Sequence, residues 1–220
     1  MKTGIKILAT ASLLAAAACG GGGDKPPPST PTKPGVVGTQ PDQVSKEAEN
    51  KFNAAVDAFL AHDKANDWGN EVCNDVAKKF DSAASEQKGG KFPEATFNAG
   101  LAFQRCGMDK EAKAKFEKTL QDDANFHHAR AQLALYKYKA DQNEDGVISE
   151  LQQAVLDAKF QNVPALVNLA MFQMQRDAAQ GGQGCKDDME CAKQNLQRAL
   201  AIDDSYMPAF NQLALYYFQQ

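Results

Sequence analysis

From residue 44 onward, apolar and small residues recur at helical spacing, and strand-type alternation is nearly absent. The clearest stretch starts at Pro93 and runs through Gly100, Phe103, Gly107, Ala112, Phe116, Thr119 and Leu120. This spacing predicts two helices separated near Gly107, each with one apolar stripe. The small residues let the helices approach, and the large ones fill the space between them. About 34 residues later, near His127, the set returns: Leu133 and Ala134 on a first helix, then Val147, Leu151, Ala154 and Val155, shifted by one residue. A third unit opens near Val163, with Leu169 and Ala170, then Ala192, Leu196, Ala199 and Leu200. Between its two helices lie roughly ten extra residues relative to the period, including Gly181, Gly182, Gly184 and Cys185. A last helix opens near Met207, with Leu213, Ala214 and Tyr217. Upstream, Val44 to Lys64 and Trp68 to Gln87 read as a degenerate helix pair, with Val76, Phe80 and Ala83 on its second member.

The predicted organisation is therefore a degenerate pair over 44–90, repeats over 93–126, 127–162 and 163–206, and the first helix of a further repeat over 207–220. This pattern resembles the tetratricopeptide family across most of residues 44–220. The resemblance implies an all-α fold, a superhelical stack of antiparallel helix pairs in which each unit touches its neighbours. It also implies partner binding along the inner face of the stack, built by the first helices. The positions that face inward in that family fall on Phe97, Leu101 and Gln104, then Ala131, Leu135 and Tyr138. Val167, Met171 and Met174 follow, then Asn211, Leu215 and Phe218, with Arg105 and His128 beside the stripe. Such a stripe would be an apolar groove for an amphipathic or extended segment of another protein, with methionines that adapt to it. The alternative is that some of these residues pack within the stack. The apolar end Leu215-Tyr216-Tyr217-Phe218 lacks the polar outer face expected of a cap, and points to a piece of a longer protein.

The first 43 residues are of another kind. Lys2 and Lys6 precede an apolar run from Ile7 to Ala15, and Ala16-Ala17-Ala18 leads to Cys19. This is the layout of an export signal over 1–18, ending in a lipobox-like site. The run is too short to span a bilayer, which takes about 20 residues. Cleavage before Cys19 would leave its thiol for acylation. Each buried methylene of an attached chain then contributes about 0.8 kcal/mol to anchoring. Residues 19–43 hold Gly20 to Gly23 and then Pro26, Pro27, Pro28, Pro31, Pro34 and Pro41 without apolar periodicity, a tether and not a domain. Gly20 and Gly21 after the acylated position, with no Asp, resemble an outer-membrane address. The expected location is the outer membrane, lipid-anchored and facing the periplasm.

Charge and cysteine content narrow the classes. Setting aside Lys2, Lys6, Lys25, Lys33, Asp24 and Asp42, the 24 basic and 28 acidic side chains of the chain become 20 and 26, a net of −6 for the folded part. No basic patch with interleaved aromatics is present, which argues against nucleic acid as a partner. Beyond Cys19 there are Cys73, Cys106, Cys185 and Cys191, an even set in an exported chain. Three pairings are possible. The helical layout selects Cys73–Cys106, at facing ends of adjacent antiparallel helices, and Cys185–Cys191 across the inserted loop.

Asp141, Asn143, Asp145, Gly146 and Ile148 reproduce the early positions of an EF-hand calcium loop, but Gln152 stands where a bidentate Glu is needed. The preferred reading is a turn between helices, with Asp145 as a cap and Gly146 as the breaker. HExxH, GxSxG and phosphate-loop motifs are missing. His127 and His128 are consecutive and point to different helix faces, which suggests no metal cage. The chain thus reads as non-catalytic, without cofactor apart from lipid on Cys19 and without a small-molecule substrate. Its partners would be other envelope proteins and, through the lipid, a membrane. The segment from Cys191 to Phe218, together with Cys19 and the Gly/Pro tether, resembles the tetratricopeptide lipoproteins of myxobacterial gliding motility. That resemblance implies a scaffold in a trans-envelope machine. Lipoproteins that pilot type IV pilus secretins or assist β-barrel assembly are a second likeness, and a calcium-responsive binding module is a third reading.

Overall fold

The computed structural model describes residues 44–182 and 184–219; the predicted signal, Cys19 and the tether lie outside the described residues. Among the described residues there are nine α-helices and no strand. They are α1 (Lys46–Ala65), α2 (Asn70–Glu86), α3 (Pro93–Arg105), α4 (Asp109–Asp122), α5 (His127–Asp141), α6 (Glu144–Asp157), α7 (Val163–Arg176), α8 (Asp188–Ile202) and α9 (Met207–Gln219). A single 3₁₀ turn, Lys88–Gly90, follows α2.

Local chemistry sets the helix boundaries. Ser45, Asn143, Asn162 and Asp187 cap α1, α6, α7 and α8, each side chain accepting a first-turn backbone N–H. Pro93 opens α3 and Pro164 stands in the first turn of α7, where a missing N–H costs nothing. Asn66, Gln142 and Asp177 end α1, α5 and α7 in the left-handed conformation. Two expectations shift here. The second helix of the first pair begins at Asn70, so Trp68 lies in the turn, where its indole N–H donates to Asp63 at 2.8 Å and its ring packs on Phe59. The α5–α6 turn is capped by Asn143, not Asp145. Gly146 does not break the helix; it sits inside the first turn of α6, where a Cβ would come 3.0 Å from the Asn143 side chain.

Each helix packs on the one before and the one after it, and α7 also touches α9. The turns from α3 to α7 are two to five residues long, so consecutive helices there run antiparallel. Gly100 shows why a small residue is needed: a Cβ there would lie 2.6 Å from the Phe116 ring, so α3 and α4 close directly on one another. The interior divides into two apolar clusters. One gathers α1 to α4 with Ala129 and Tyr136 of α5; the other gathers Ala131, Ala134, Leu135 and Tyr138 of α5 with α6 to α9. Helix α5 therefore serves both cores from different faces. Cys73 in the first turn of α2 is bonded to Cys106 at the end of α3, with Cα atoms 6.4 Å apart. Cys185 in the insertion is bonded to Cys191 in the first turns of α8, with Cα atoms 5.3 Å apart.

Candidate interaction surface

The inward stripe divides into a packed part and an open part. Phe97, Leu101, Ala131, Leu135, Tyr138, Val167 and Met174 are buried, which for this part of the stripe agrees with the alternative of packing between helices. The reason is unit-to-unit packing. The Phe97 ring lies 5.3 Å from Phe116, 5.2 Å from Phe126 and 5.9 Å from His128, in the seam between α3, α4 and α5. Tyr138 packs edge-on against Phe172 at 4.6 Å, and its hydroxyl accepts from Gln175 Nε2 at 2.8 Å. Large rings gain more from such a seam than from solvent, by about 1.5–3 kcal/mol each.

What remains accessible is narrower. Gln104, His128 and Met171 are half-buried, and Gln104 Nε2 donates to Gln132 at 2.9 Å across the α3–α5 seam. Asn211, Leu215 and Phe218 are exposed, Phe218 at 88 %. With Met207, Phe210 and Tyr217, also exposed, they leave most of α9 bare of cover among the described residues. Helix α9 carries no charged side chain.

Several partners in the seams were not legible as motifs. Arg105 bonds both oxygens of Asp63, at 2.8 and 2.9 Å, and lies over the Phe59 ring, joining α3 to α1. Arg176 bonds both oxygens of the fully buried Asp188, at 2.7 and 2.8 Å. Asp188 also accepts from Ala178 N at 3.0 Å, so the base of the 177–187 insertion is tied shut. Burial alone would raise the Asp188 carboxyl; Arg176 and the Ala178 N–H outweigh it and hold it below the usual carboxylate range. Gln173 and Asn195, both buried, bond each other at 2.9 Å between α7 and α8.

The three oxygens considered for calcium are engaged otherwise. Asp141 accepts from Asn143 N at 2.9 Å, Asn143 from Gly146 N at 2.9 Å, and Asp145 from Arg176 at 2.7 Å. Helix α6 starts at Glu144, so the stretch lacks the long open loop that wraps the ion in an EF-hand. Among the described residues, no group of three or more His, Cys, Asp or Glu is placed to hold a metal ion. No helix among them is long and apolar enough to cross a membrane. No protein-family model matches the chain, and no curated protein sequence matches it.

Proposed function

We propose that this chain is a non-catalytic scaffold of the tetratricopeptide type, held at an outer membrane by lipid on Cys19 and joining proteins of a trans-envelope machine. The machine is gliding motility, following the resemblance of the Cys191–Phe218 segment. The observation that carries this reading is repeat register. Residues one period apart meet: Lys115 pairs with Asp81, 34 positions away, at 2.5 Å between α4 and α2. His127 meets Asn162, 35 positions away, and the Gly100–Phe116 fit is the close approach the repeat pattern requires. Contacts between consecutive helices, and between helices two apart, support a stack of repeated pairs. The contact for a partner is the open part of the inner stripe: Gln104, His128 and Met171, continued by Asn211, Leu215 and Phe218 on α9. A partner segment with an apolar face fits that row.

The test has two arms. Mass spectrometry of the mature protein should find Cys19 as the N-terminus, carrying acyl chains; an unmodified thiol would remove the anchor. Crosslinking in a myxobacterial envelope should then recover gliding-machine subunits. Secretin or barrel-assembly subunits as the main products would replace the motility assignment with a piloting one.

A further inference from the structure

The starts of α5 and α7 meet at a polar contact that the repeat pattern does not require. His127 opens α5 and is 4 % exposed; Asn162 caps α7 and is 1 % exposed. Asn162 Oδ1 accepts from Ala165 N at 3.2 Å, satisfying one of the first-turn donors of α7. That bond decides which way the amide faces. Its Nδ2 is turned to His127 Nδ1, 3.1 Å away. An amide nitrogen only donates, so Nδ1 accepts and the proton of the neutral ring sits on Nε2. A proton added at Nδ1 would set two donors face to face. Turning the amide over would restore the contact but remove the cap.

The surroundings keep this ring neutral. The His128 ring lies 4.1 Å from it, and Phe97 and Phe126 lie beside His128 at 5.9 Å each. The charged groups near the pair are Asp123 from the α4–α5 turn, Asp157 from α6, Arg130 of α5 in an ion pair with Asp157 at 3.2 Å, and Glu94 of α3, which feels the charge of Asp123. Burial pushes His127 below its ordinary value, and Asp157 and Asp123 offset only part of it. Burial and then His127 push His128 down to about 3.

We propose that His127 and Asn162 form a proton-operated joint that fixes the start of α7 on α5 at neutral pH and releases it when His127 takes a proton. At the opposite ends of these helices Tyr138 of α5 accepts from Gln175 of α7, and Arg176 of α7 pairs with Asp145 of α6; neither contact involves a histidine, and both stay closed. Acid therefore opens one edge of the seam between the 127–162 and 163–206 units, as a hinge.

Hydrogen exchange on the full chain between pH 7.5 and 4.5, corrected for the intrinsic pH dependence of exchange, tests this. Protection of the first-turn amides of α7, Ala165 and Leu166, should fall about tenfold for each pH unit below about 6.5. The His127→Gln variant, which keeps an acceptor but cannot titrate, should lose one tenfold step per unit; His128→Gln should leave the His127 step in place. Equal slopes in wild type and His127→Gln would overturn the joint. Should His127→Gln not fold, nitrogen NMR of the wild type decides. It should show the Nε2–H tautomer of His127 and an Asn162 side-chain amide that shifts as His127 titrates. An Nδ1–H tautomer, or an Asn162 amide blind to that titration, would overturn it equally.

Discussion

Gly100 is the residue where the packing of α3 on α4 is most demanding. A methyl group there would press on Phe116, which is fully buried and has nowhere to move. Overpacking costs about 1–3 kcal/mol, and a rigid ring calls for the upper end. Removing a glycine from a helix returns about 1 kcal/mol. Gly100→Ala should therefore lose about 2 kcal/mol in urea unfolding, and Phe116→Leu in the same chain should restore part of it. Unchanged stability in the single variant would show that the α3–α4 contact is looser than described. Asp188 is the second such residue, because Arg176 and Ala178 N both depend on it. Asp188→Ala should cost about 3 kcal/mol, the loss expected when one member of a buried pair is removed. Its carboxyl lies below the usual range, so this contribution is present above about pH 4 and disappears as acid protonates it in the native state.

Among the described residues there are two covalent ties of unequal reach. Cys73–Cys106 closes a separation of 33 residues and links α2 to α3; Cys185–Cys191 closes a separation of 6 within the insertion and the start of α8. Loop-closure entropy makes the first worth about 3–4 kcal/mol and the second about 2 kcal/mol. Cys73→Ser should thus lower the urea midpoint more than Cys185→Ser, and the reverse order would place the main constraint in the insertion. The layout of predicted helix ends was enough to choose Cys73–Cys106, because facing ends of adjacent antiparallel helices are a local matter, and Cys185–Cys191 followed as the closure of the inserted loop. The turn at 141–146 was harder. Asp145 and Asn143 are both good caps by type, and only the position of Arg176 on the neighbouring helix draws Asp145 away from the backbone.

Taken whole, the molecule is a row of helices with two cores that share α5. Both histidines that open α5 are held neutral, with lowered proton affinity in the native state. The unfolded chain binds those protons below about pH 6.5 and the folded chain does not, so stability is full above that value and falls beneath it. Each ring contributes up to about 1.4 kcal/mol of loss per pH unit, and 1 kcal/mol moves the midpoint of a chain this size by about 2–4 °C. A thermal midpoint that drops by several degrees from pH 6.5 to 5.5 is expected; a flat profile would mean that the rings reach solvent. At the bare end of the row, Phe218→Ser should change stability by less than about 0.5 kcal/mol, since its side chain is 88 % exposed. The same change should weaken crosslinking to the envelope partner if α9 continues the contact row, and unaltered crosslinking would remove α9 from it.

Helix content, the positions of most turns and the pairing of four cysteines follow from local information: spacing of apolar residues, capping types and the reach of short turns. Those properties depend on neighbours within one or two helices and are written directly in the chain. The fate of the inward stripe does not have that form. Whether Phe97 or Tyr138 faces a partner or closes a seam depends on which rings from the next unit arrive beside it, Phe116 and Phe126 in one case and Phe172 in the other. The His127–Asn162 and Arg176–Asp188 contacts likewise exist only because packing brings the start of one helix, or the end of an insertion, against another. Tertiary structure decided these because burial makes each polar group find a partner, and the partner is supplied by space, not by sequence distance.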